Sequence, residues 1–517
     1  LNPVIDGPES SPLSEDDPIG IGGAQQNASG HVAVIDVGSN TVRLVVYDTP
    51  TRLPIPMYNE KAQCELVRGM AETGCLNPQG VILAHASLAR FIHLARAMGV
   101  EHMRVVATAA VRDASDGPAF VESIESTHDL EVSVLSGSDE ARLAALGVLS
   151  GVPRADGLLL DLGGGSVDLV GLDDGRYGES ATLPLGHLRL SEAVGNDRKK
   201  GLRLVAKHIT TLDWIAQTKG RTLYVCGGSM RAIARVFIDQ TSYPLHVIDN
   251  YAVSAEEAAR LADLIARASP DTIARIPGIS RKRQSTLSHA ATVLSVLINY
   301  ANPATVVFSG FGMREGQLLS MLPADVRLQD PLISACASLA ERTGRFSISG
   351  DAIVAWSDIL FAGESSAERR IRRATALLSD IGWPEHPDYR AEHAFHRVLR
   401  VPFAGLSHSE RLFAALAIYI RYNGNIGDKV TTPVMRLLPE DELERVKLLG
   451  LALRLAHTIS GSAPGILERT RLGLTPQTLT LRTPKDKHGF ASETVDRRLK
   501  TLAHALGRRS RIMTERS

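Results

Sequence analysis

Cysteine is scarce in this chain: Cys64, Cys75, Cys226 and Cys336 are the only four in 517 residues. They lie far apart, form no Cys-x-x-Cys pair and have no histidine at metal spacing. This pattern argues against a disulfide framework or a cysteine-held zinc and is expected of a reduced, cytoplasmic protein. No stretch approaches the ~18 apolar residues that would span a bilayer. The first residues have neither the basic patch nor the apolar core of a signal peptide. A net charge is also lacking, with 57 Lys and Arg against 57 Asp and Glu, so nothing global draws the chain to nucleic acid or membrane.

What is present reads as an ordinary soluble, well-cored protein, with 44% apolar and 22% charged residues. The length suits roughly two to four domains. Charge is uneven along it. Residues 1–30 carry five acids and no Lys or Arg, and their Pro, Ser and Gly content predicts a disordered acidic lead-in. Residues 481–517 carry ten Lys or Arg against four acids.

From His31 the pattern reads strand, tight turn, strand, with a third strand near 58–66 and a helix over 78–98, where Ala84, Leu88, Phe91, Ile92 and Ala95 recur at helical spacing. Short strands follow at 103–111 and 130–137, and Ser138 starts the helix DEARLAALGVL. A second unit opens in the same way: GLLLDLGGG turns into SVDLVGL, helices follow around 201–217, and TLYVCGGS leads into MRAIARVF. A long helix is expected over 284–300, then the strand TVVFSG and the helix MREGQLLSML. Strand–strand–helix order followed by strand–helix alternation predicts mixed α/β units. After about Pro323 the pattern is amphipathic helix throughout, with weak strand candidates only near 478–481.

The two openings echo one another. Asp36 precedes Gly38-Ser39-Asn40 in one hairpin, and Asp161 precedes Gly163-Gly164-Gly165-Ser166 in the other, 125 residues later. This predicts a duplication. Glycine-rich turns let backbone N–H groups converge on an anion, phosphate above all, and Ser39, Asn40 and Ser166 add side-chain donors. A Cβ at Gly163–Gly165 would hold a phosphate off the backbone. A third turn, Gly227-Gly228-Ser229, stands between a strand and a helix N-terminus, which also favours an anion. Any one such turn also suits a purely conformational role.

An Asp at the end of each inner strand stands where an apolar residue would be less costly to bury. Two carboxylates beside a phosphate site suggest a divalent cation, with Mg²⁺ taking one or two carboxylates plus phosphate oxygens and water. Asp168, two residues past Ser166, shares that face of its strand and could join Asp161 near the ion.

These motifs carry a resemblance. Asp-x-Gly-Ser-Asn, Ser-Gly-x-Asp-Glu-Ala-Arg-Leu, Asp-x-Gly-Gly-Gly-Ser, YVCGGSMRAIAR and VVFSGFGMREG occur in the order found in the exopolyphosphatase and guanosine pentaphosphate phosphohydrolase family. The chain resembles that family from about His31 to Leu319. The resemblance implies an α/β fold of two duplicated ribonuclease H-like, actin-like ATPase domains around a cleft. Residues 31–150 and 151–323 would form them, followed by a mainly helical HD-like region over 324–517. It makes Glu140 the water-activating base, with Asp161 and Asp168 as its catalytic companions and Asp36, Asp161 and Asp168 as metal ligands. It also makes Arg112 a phosphate contact, which suits the planar fork of arginine, with Thr108 matching a family threonine that precedes it. By residue type alone, an acid just after Ser136 or Ser138 is also an ordinary helix start.

The activity implied is removal of terminal phosphate from inorganic polyphosphate, Mg²⁺-dependent, with K⁺ as a conceivable helper. The alternatives are the 5′-phosphohydrolase reaction on guanosine pentaphosphate, an actin-superfamily kinase, or a non-catalytic nucleotide sensor. Nucleic acid and membrane are not expected partners. The basic clusters Asp197–Lys200, Arg281–Arg283 and Glu368–Arg373, with the basic C-terminus, could line a channel for distal phosphates, or be solvated faces. Wide apolar faces around Leu412, Leu416, Ile418 and Ile420 would suit a homodimer, or the region's own core. An HD metal centre needs an adjacent His-Asp pair, and here Ser379 precedes Asp380. His386, His393, His396 and His408 therefore read as packing or surface residues.

Overall fold

Strand β1 (His31–Val37) is buried on both faces and occupies the middle of a five-stranded sheet. Its near-continuous apolar run HVAVIDV is what a strand covered on two sides requires. The computed structural model describes residues 30–48, 51–276, 279, 281–343, 350–484 and 490–514. The acidic lead-in before Gly30 lies outside the described residues. The chain divides after Pro331 into two compact units.

In the first unit, β1 pairs antiparallel with β2 (Thr41–Tyr47), which pairs antiparallel with β3 (Pro56–Gln63). On its other side β1 runs parallel to β4 (Val100–Ala107), which runs parallel to β5 (Val132–Val134). A second sheet repeats this plan. Strand β6 (Gly157–Leu162) is antiparallel to β7 (Val167–Asp173), and β7 to β8 (Arg176–Leu183). Strand β6 is parallel to β9 (Thr222–Cys226), with β10 (Tyr251–Ser254) and β11 (Thr305–Phe308) completing the order β10-β11-β9-β6-β7-β8. The echo of the two hairpins is thus a repeat of topology.

Helices cover the sheets where the apolar spacing expects them. Leu88, Phe91 and Ile92 of the helix Pro78–Ala97 share a core with Ile35 and Leu44. Val34, Val45 and Tyr47, on the opposite face of that sheet, meet Leu318 of the helix Met313–Met321. The helix Gly137–Gly151 is buried from Glu140 onwards except at Arg142. Ala141, Ala144 and Val148 pack on Leu159 and Val170 of the second sheet, while Leu143 and Leu146 meet Val106 and Leu319. Two sheets therefore fix the position of that helix.

Several elements differ from expectation. Strand β5 is three residues long, not eight, because the helix already begins at Gly137. The helix expected over 284–300 runs Leu287–Ala301. Strands β8 and β10 and the helix Ala255–Arg267 have no counterpart in the sequence reading. Strand β8 is an edge strand, RYGESATL, whose mostly polar residues give no alternating apolar signal.

The second unit is mainly helical, with helices Ser366–Leu377, Arg390–Arg400, His408–Arg421, Glu442–Ser460 and Glu493–Ala505 among others. It also holds a small sheet of β12 (Arg471–Leu474), β13 (Thr478–Thr483) and β14 (Arg509–Thr514), of which the sequence signalled only the middle strand. Leu412, Leu416, Ile418 and Ile420 are buried in this unit's own interior, so the apolar faces that suited a homodimer are already covered. The Glu368–Arg373 cluster is scaffold. Arg372 is 1% exposed and binds Glu364, Asp358 and the Val354 carbonyl, Arg369 pairs with Asp358, and Arg373 with Asp351. Its arginines are thus held by partners within the unit. Asp380 accepts a hydrogen bond from Arg421 at 2.6 Å, so a guanidinium neutralises it from within the unit. Among the described residues no helix is long and apolar enough to cross a membrane.

Candidate active site

The glycine turns of both hairpins and the Gly227–Ser229 turn line one cavity of about 220 Å³ in the first unit. Asp36, Glu140, Asp161, Asp168, Gly38, Ser39, Asn40, Gly163, Gly164, Gly165, Ser166, Gly227, Gly228, Ser229 and Thr108 all border it. Of the site residues expected from sequence, only Arg112 does not.

The duplicated plan explains the convergence. The β1–β2 turn and the β6–β7 turn meet head to head: a Cβ built on Gly165 would stand 2.8 Å from Ser39 Oγ. The glycine there serves the approach of one loop to the other as well as access to the backbone. Gly227 is more tightly constrained. Its φ is +96°, and a Cβ would come within 2.6 Å of the Leu162 carbonyl and 2.8 Å of Asp161 Oδ1. A side chain would therefore be strained and obstructed at once.

Glu140 lies in the first turn of its helix, but the capping is done by its neighbour. Ser136 Oγ accepts from the Asp139 N–H at 3.1 Å, and Asp139 Oδ2 accepts from the Ser136 N–H at 3.3 Å. This reciprocal box satisfies the helix start and leaves the Glu140 carboxylate to face the cavity. Burial pushes Glu140 up to about 7, against the opposing pull of Arg112. Arg112 donates to Glu140, to the Leu135 carbonyl at 3.0 Å and to Asp113 at 3.1 Å. It stands behind the base rather than in the cavity wall.

Asp36 and Asp161 end their strands on the cavity floor, and burial raises the pKa of each. The Cys226 thiol donates to Asp161. Asp168 lies directly opposite Asp161 across the β6–β7 ladder and accepts from Thr182 Oγ1 at 2.6 Å. Burial, and then the Glu140 charge, lift its pKa well above the usual carboxylate range. Asn40 Oδ1 is buried with no hydrogen-bond partner among the described residues. These are hard oxygen donors, suited to a divalent cation of the Mg²⁺ type. Among the described residues no three His, Cys, Asp or Glu side chains cluster closely enough to hold a metal by themselves. A cation there would complete its shell with water and ligand oxygens, as Mg²⁺ commonly does.

A model of the Ppx/GppA phosphatase family matches residues 45–325, just over half of the chain, and one of the exopolyphosphatase C-terminal domain matches 332–513. The chain belongs to the Ppx/GppA phosphatase family. Retrograde regulation protein 2 of Saccharomyces cerevisiae is 26% identical over 436 residues, covering 76% of this chain and 73% of that protein. Exopolyphosphatase 1 of Mycobacterium leprae is 27% identical over 311 residues, 57% of this chain and 90% of its own. Among solved structures, an exopolyphosphatase from Cytophaga hutchinsonii superposes with a TM-score of 0.52 at 22% identity, covering 56% of this chain and 97% of that one. This likeness shows the shared fold.

In this Ppx/GppA phosphatase the cavity also carries Arg283, from the basic cluster Arg281–Arg283, and four basic groups that the sequence reading did not single out: Arg43, Lys61, Arg231 and Arg314. Three of them are pressed together. Burial, followed by Arg314 and Arg231, pushes Arg43 down to about 10, and burial with Arg231 does the same to Arg283. Such crowding of like charge is relieved by a bound polyanion. Arg43 left a trace in the sequence as the one charged residue within the apolar run of β2. Arg231 and Arg314 lie within the stretches YVCGGSMRAIAR and VVFSGFGMREG, just after their glycine turns, where they were not singled out. Glu315 also borders the cavity, but it accepts the Gly312 N–H at 2.9 Å and serves as a cap. His187, at the start of the helix His187–Val194, is pushed down to about 4 by burial, and its Nδ1 has no partner among the described residues.

Proposed function

We propose that this chain is an exopolyphosphatase, hydrolysing the terminal phosphoanhydride bond of inorganic polyphosphate to release orthophosphate. The observation that carries this reading is the convergence of three glycine turns, two strand-end aspartates and Glu140 on one cavity walled by arginines. Family membership supports it. So does the name exopolyphosphatase on relatives matched over nine tenths of their length.

The terminal phosphate would be received by the N–H groups and hydroxyls of Gly38–Asn40, Gly163–Ser166 and Gly227–Ser229. Arg43, Arg231, Arg283 and Arg314 would hold phosphates further along the chain. Asp36 and Asp161, with Asn40 Oδ1 beside them, would hold Mg²⁺ or a similar divalent cation. When bound, it offsets negative charge on the phosphoryl oxygens. Glu140 takes a proton from water as the water oxygen bonds to the terminal phosphorus. The P–O bond to the penultimate phosphate breaks, and the electron pair leaves with the shortened chain. Arg112 fixes the carboxylate and lowers its basicity towards neutrality. We place Asp168 with the base as a protonated neighbour, because burial and the Glu140 charge raise its pKa well above the usual carboxylate range, against the hydrogen bond that Thr182 donates.

The test is phosphate release from long polyphosphate, guanosine pentaphosphate and ATP side by side. Release from polyphosphate with the highest kcat/KM supports the reading. Preference for guanosine pentaphosphate, or transfer from ATP to a small molecule, overturns it.

A further inference from the structure

His187 borders the cavity, is only 9% exposed, and its ring forms no hydrogen bond among the described residues. We infer that His187 is a substrate-contacting residue: with Arg283 beside it, the imidazole receives the penultimate phosphate, the group that leaves when the terminal phosphate is cut off.

Backbone contacts place the ring. The first N–H groups of the helix His187–Val194 are taken up by a glycine turn: that of His187 donates to the Gly163 carbonyl at 3.2 Å, and that of Leu188 to the Gly164 carbonyl at 3.0 Å. Gly186 lets the two segments touch, since a Cβ there would collide with the backbone of Gly164 and Gly165. Arg283 reaches the other glycine turn of this half. Its guanidinium lies over Gly228, where a built Cβ would come within 2.6 Å of Nη2. Among the described residues Arg283 has neither a hydrogen-bond nor an ion-pair partner for its side chain. The two side chains are neighbours, Arg283 being the charge that acts most strongly on His187, followed by His289. Together they span from the Gly163–Ser166 turn to the Gly227–Ser229 turn along one wall of the cavity.

A buried ring nitrogen without a partner is unfavourable, and a ligand in the cavity can supply one. Burial and the Arg283 charge push the imidazole down to about 4, so it is neutral near pH 7. One ring nitrogen then carries a proton to donate, while the guanidinium supplies the charge. A phosphate oxygen suits this pair. Which phosphate it is follows from where the acids lie. The charges acting on Glu140 are Arg112, Asp161 and Asp36, whereas those acting on His187 and Arg283 include no carboxylate. A series of neighbours, Glu140, Asp161, Arg231, Arg283 and His187, runs from one end of the cavity to the other. In-line displacement sets the attacking water and the leaving oxygen on opposite sides of phosphorus. With water at Glu140, the leaving oxygen points towards His187 and Arg283. As the water oxygen bonds to phosphorus and the P–O bond breaks, the electron pair passes to the penultimate phosphate. Its growing charge meets the Arg283 fork and the His187 N–H, and His187 keeps its proton throughout. This deepens the exopolyphosphatase reading and rests on it for the direction of attack.

The experiment compares H187A, H187L, H187N and H187Q with the unaltered full chain, all with Mg²⁺ present. Calorimetry measures binding of orthophosphate, which fills the terminal position alone, and of methylenediphosphonate, which places a second phosphate beyond it and resists cleavage. Steady-state hydrolysis of tripolyphosphate is followed in parallel, with a thermal melt of every variant. H187A is expected to bind the diphosphonate about tenfold more weakly, with orthophosphate affinity kept within about twofold. Its kcat for tripolyphosphate should fall by about tenfold, because the contact strengthens as the leaving charge grows. H187L, which fills the space of the ring without a polar atom, should match H187A, and it carries the comparison if H187A does not fold. H187N and H187Q each return an N–H donor, and at least one should recover part of both losses. Diphosphonate affinity unchanged in H187A and H187L, or falling in step with that of orthophosphate, overturns the contact. So does an unaltered chain that binds the diphosphonate no better than orthophosphate. If the unaltered chain hydrolyses no polyphosphate, the exopolyphosphatase reading fails, and the binding comparison still decides whether His187 meets a second phosphate.

Discussion

Asp161 and Asp168 stand directly opposite one another across the β6–β7 hairpin, whereas the matching positions of the first hairpin pair Asp36 with Arg43. Two facing carboxylates work against a sheet. Burial and neighbouring negative charge answer the conflict by favouring a proton on Asp168. Asp168→Asn, which mimics that protonated state, is therefore expected to keep activity within about tenfold and to raise stability by about 0.2–1 kcal/mol. Steady-state kinetics and a thermal melt check both. A loss as large as that of a missing base would mean that Asp168 works as an ionised ligand.

Glu140 must be ionised to accept a proton from water, and its pKa of about 7 places the acid limb of the pH profile near neutrality. The rate is expected to rise as pH increases through 7 and then to level off. Arg112 favours the charged carboxylate, so Arg112→Ala should move the limb to higher pH as well as lower the plateau. A profile of kcat/KM against pH for both proteins reads the shift. A limb that stays in place, or moves down, would show that another group sets it.

Removal of divalent cations by EDTA should abolish phosphate release, and Mg²⁺ should restore it. Asp36→Asn and Asp161→Asn should each raise the Mg²⁺ concentration needed for half activity by about tenfold or more, by analogy with the loss of one carboxylate from an oxygen-ligand site. Metal titration of activity measures this. Equal Mg²⁺ requirements in all three proteins would remove those carboxylates from the metal site.

Gly227 takes a backbone conformation disfavoured for other residues, with a neighbouring carbonyl where a Cβ would go. Gly227→Ala is expected to cost about 1–3 kcal/mol of stability and to weaken phosphate binding by displacing Asp161. Denaturant melts and the KM for polyphosphate test the two effects.

The glycine-turn half of the candidate site was legible because its signals are local. An acid, a glycine turn and a hydroxyl fall within six residues, and the pattern occurs twice. The arginine wall was legible only at Arg283, in the basic cluster Arg281–Arg283. Arg231 and Arg314, more than eighty positions apart in the chain, reach the cavity from two separate helices, and on those helices a basic residue looks like any solvated position. That Glu140 is not itself the capping acid is visible only in the structure, where Asp139 completes the capping box. In the second unit, the run ERRIRR looked like a surface for anions and is instead bound to Asp351, Asp358 and Glu364. The strand RSRIMT looked like a basic tail because alternation of Arg with Ser and Ile is too short to signal a sheet. Edge strands such as β8 fail for a related reason: half of their hydrogen-bonding rim faces water, so their composition is free to be polar.

The central claim is that Glu140 activates water while the loops and aspartates hold the phosphate. Single-turnover hydrolysis of long polyphosphate by Glu140→Gln, with binding measured on the same preparation, tests it most directly. The account predicts a hydrolysis rate lower by about 10²–10⁴ with affinity for the chain essentially retained. Hydrolysis at close to the unaltered rate would contradict it.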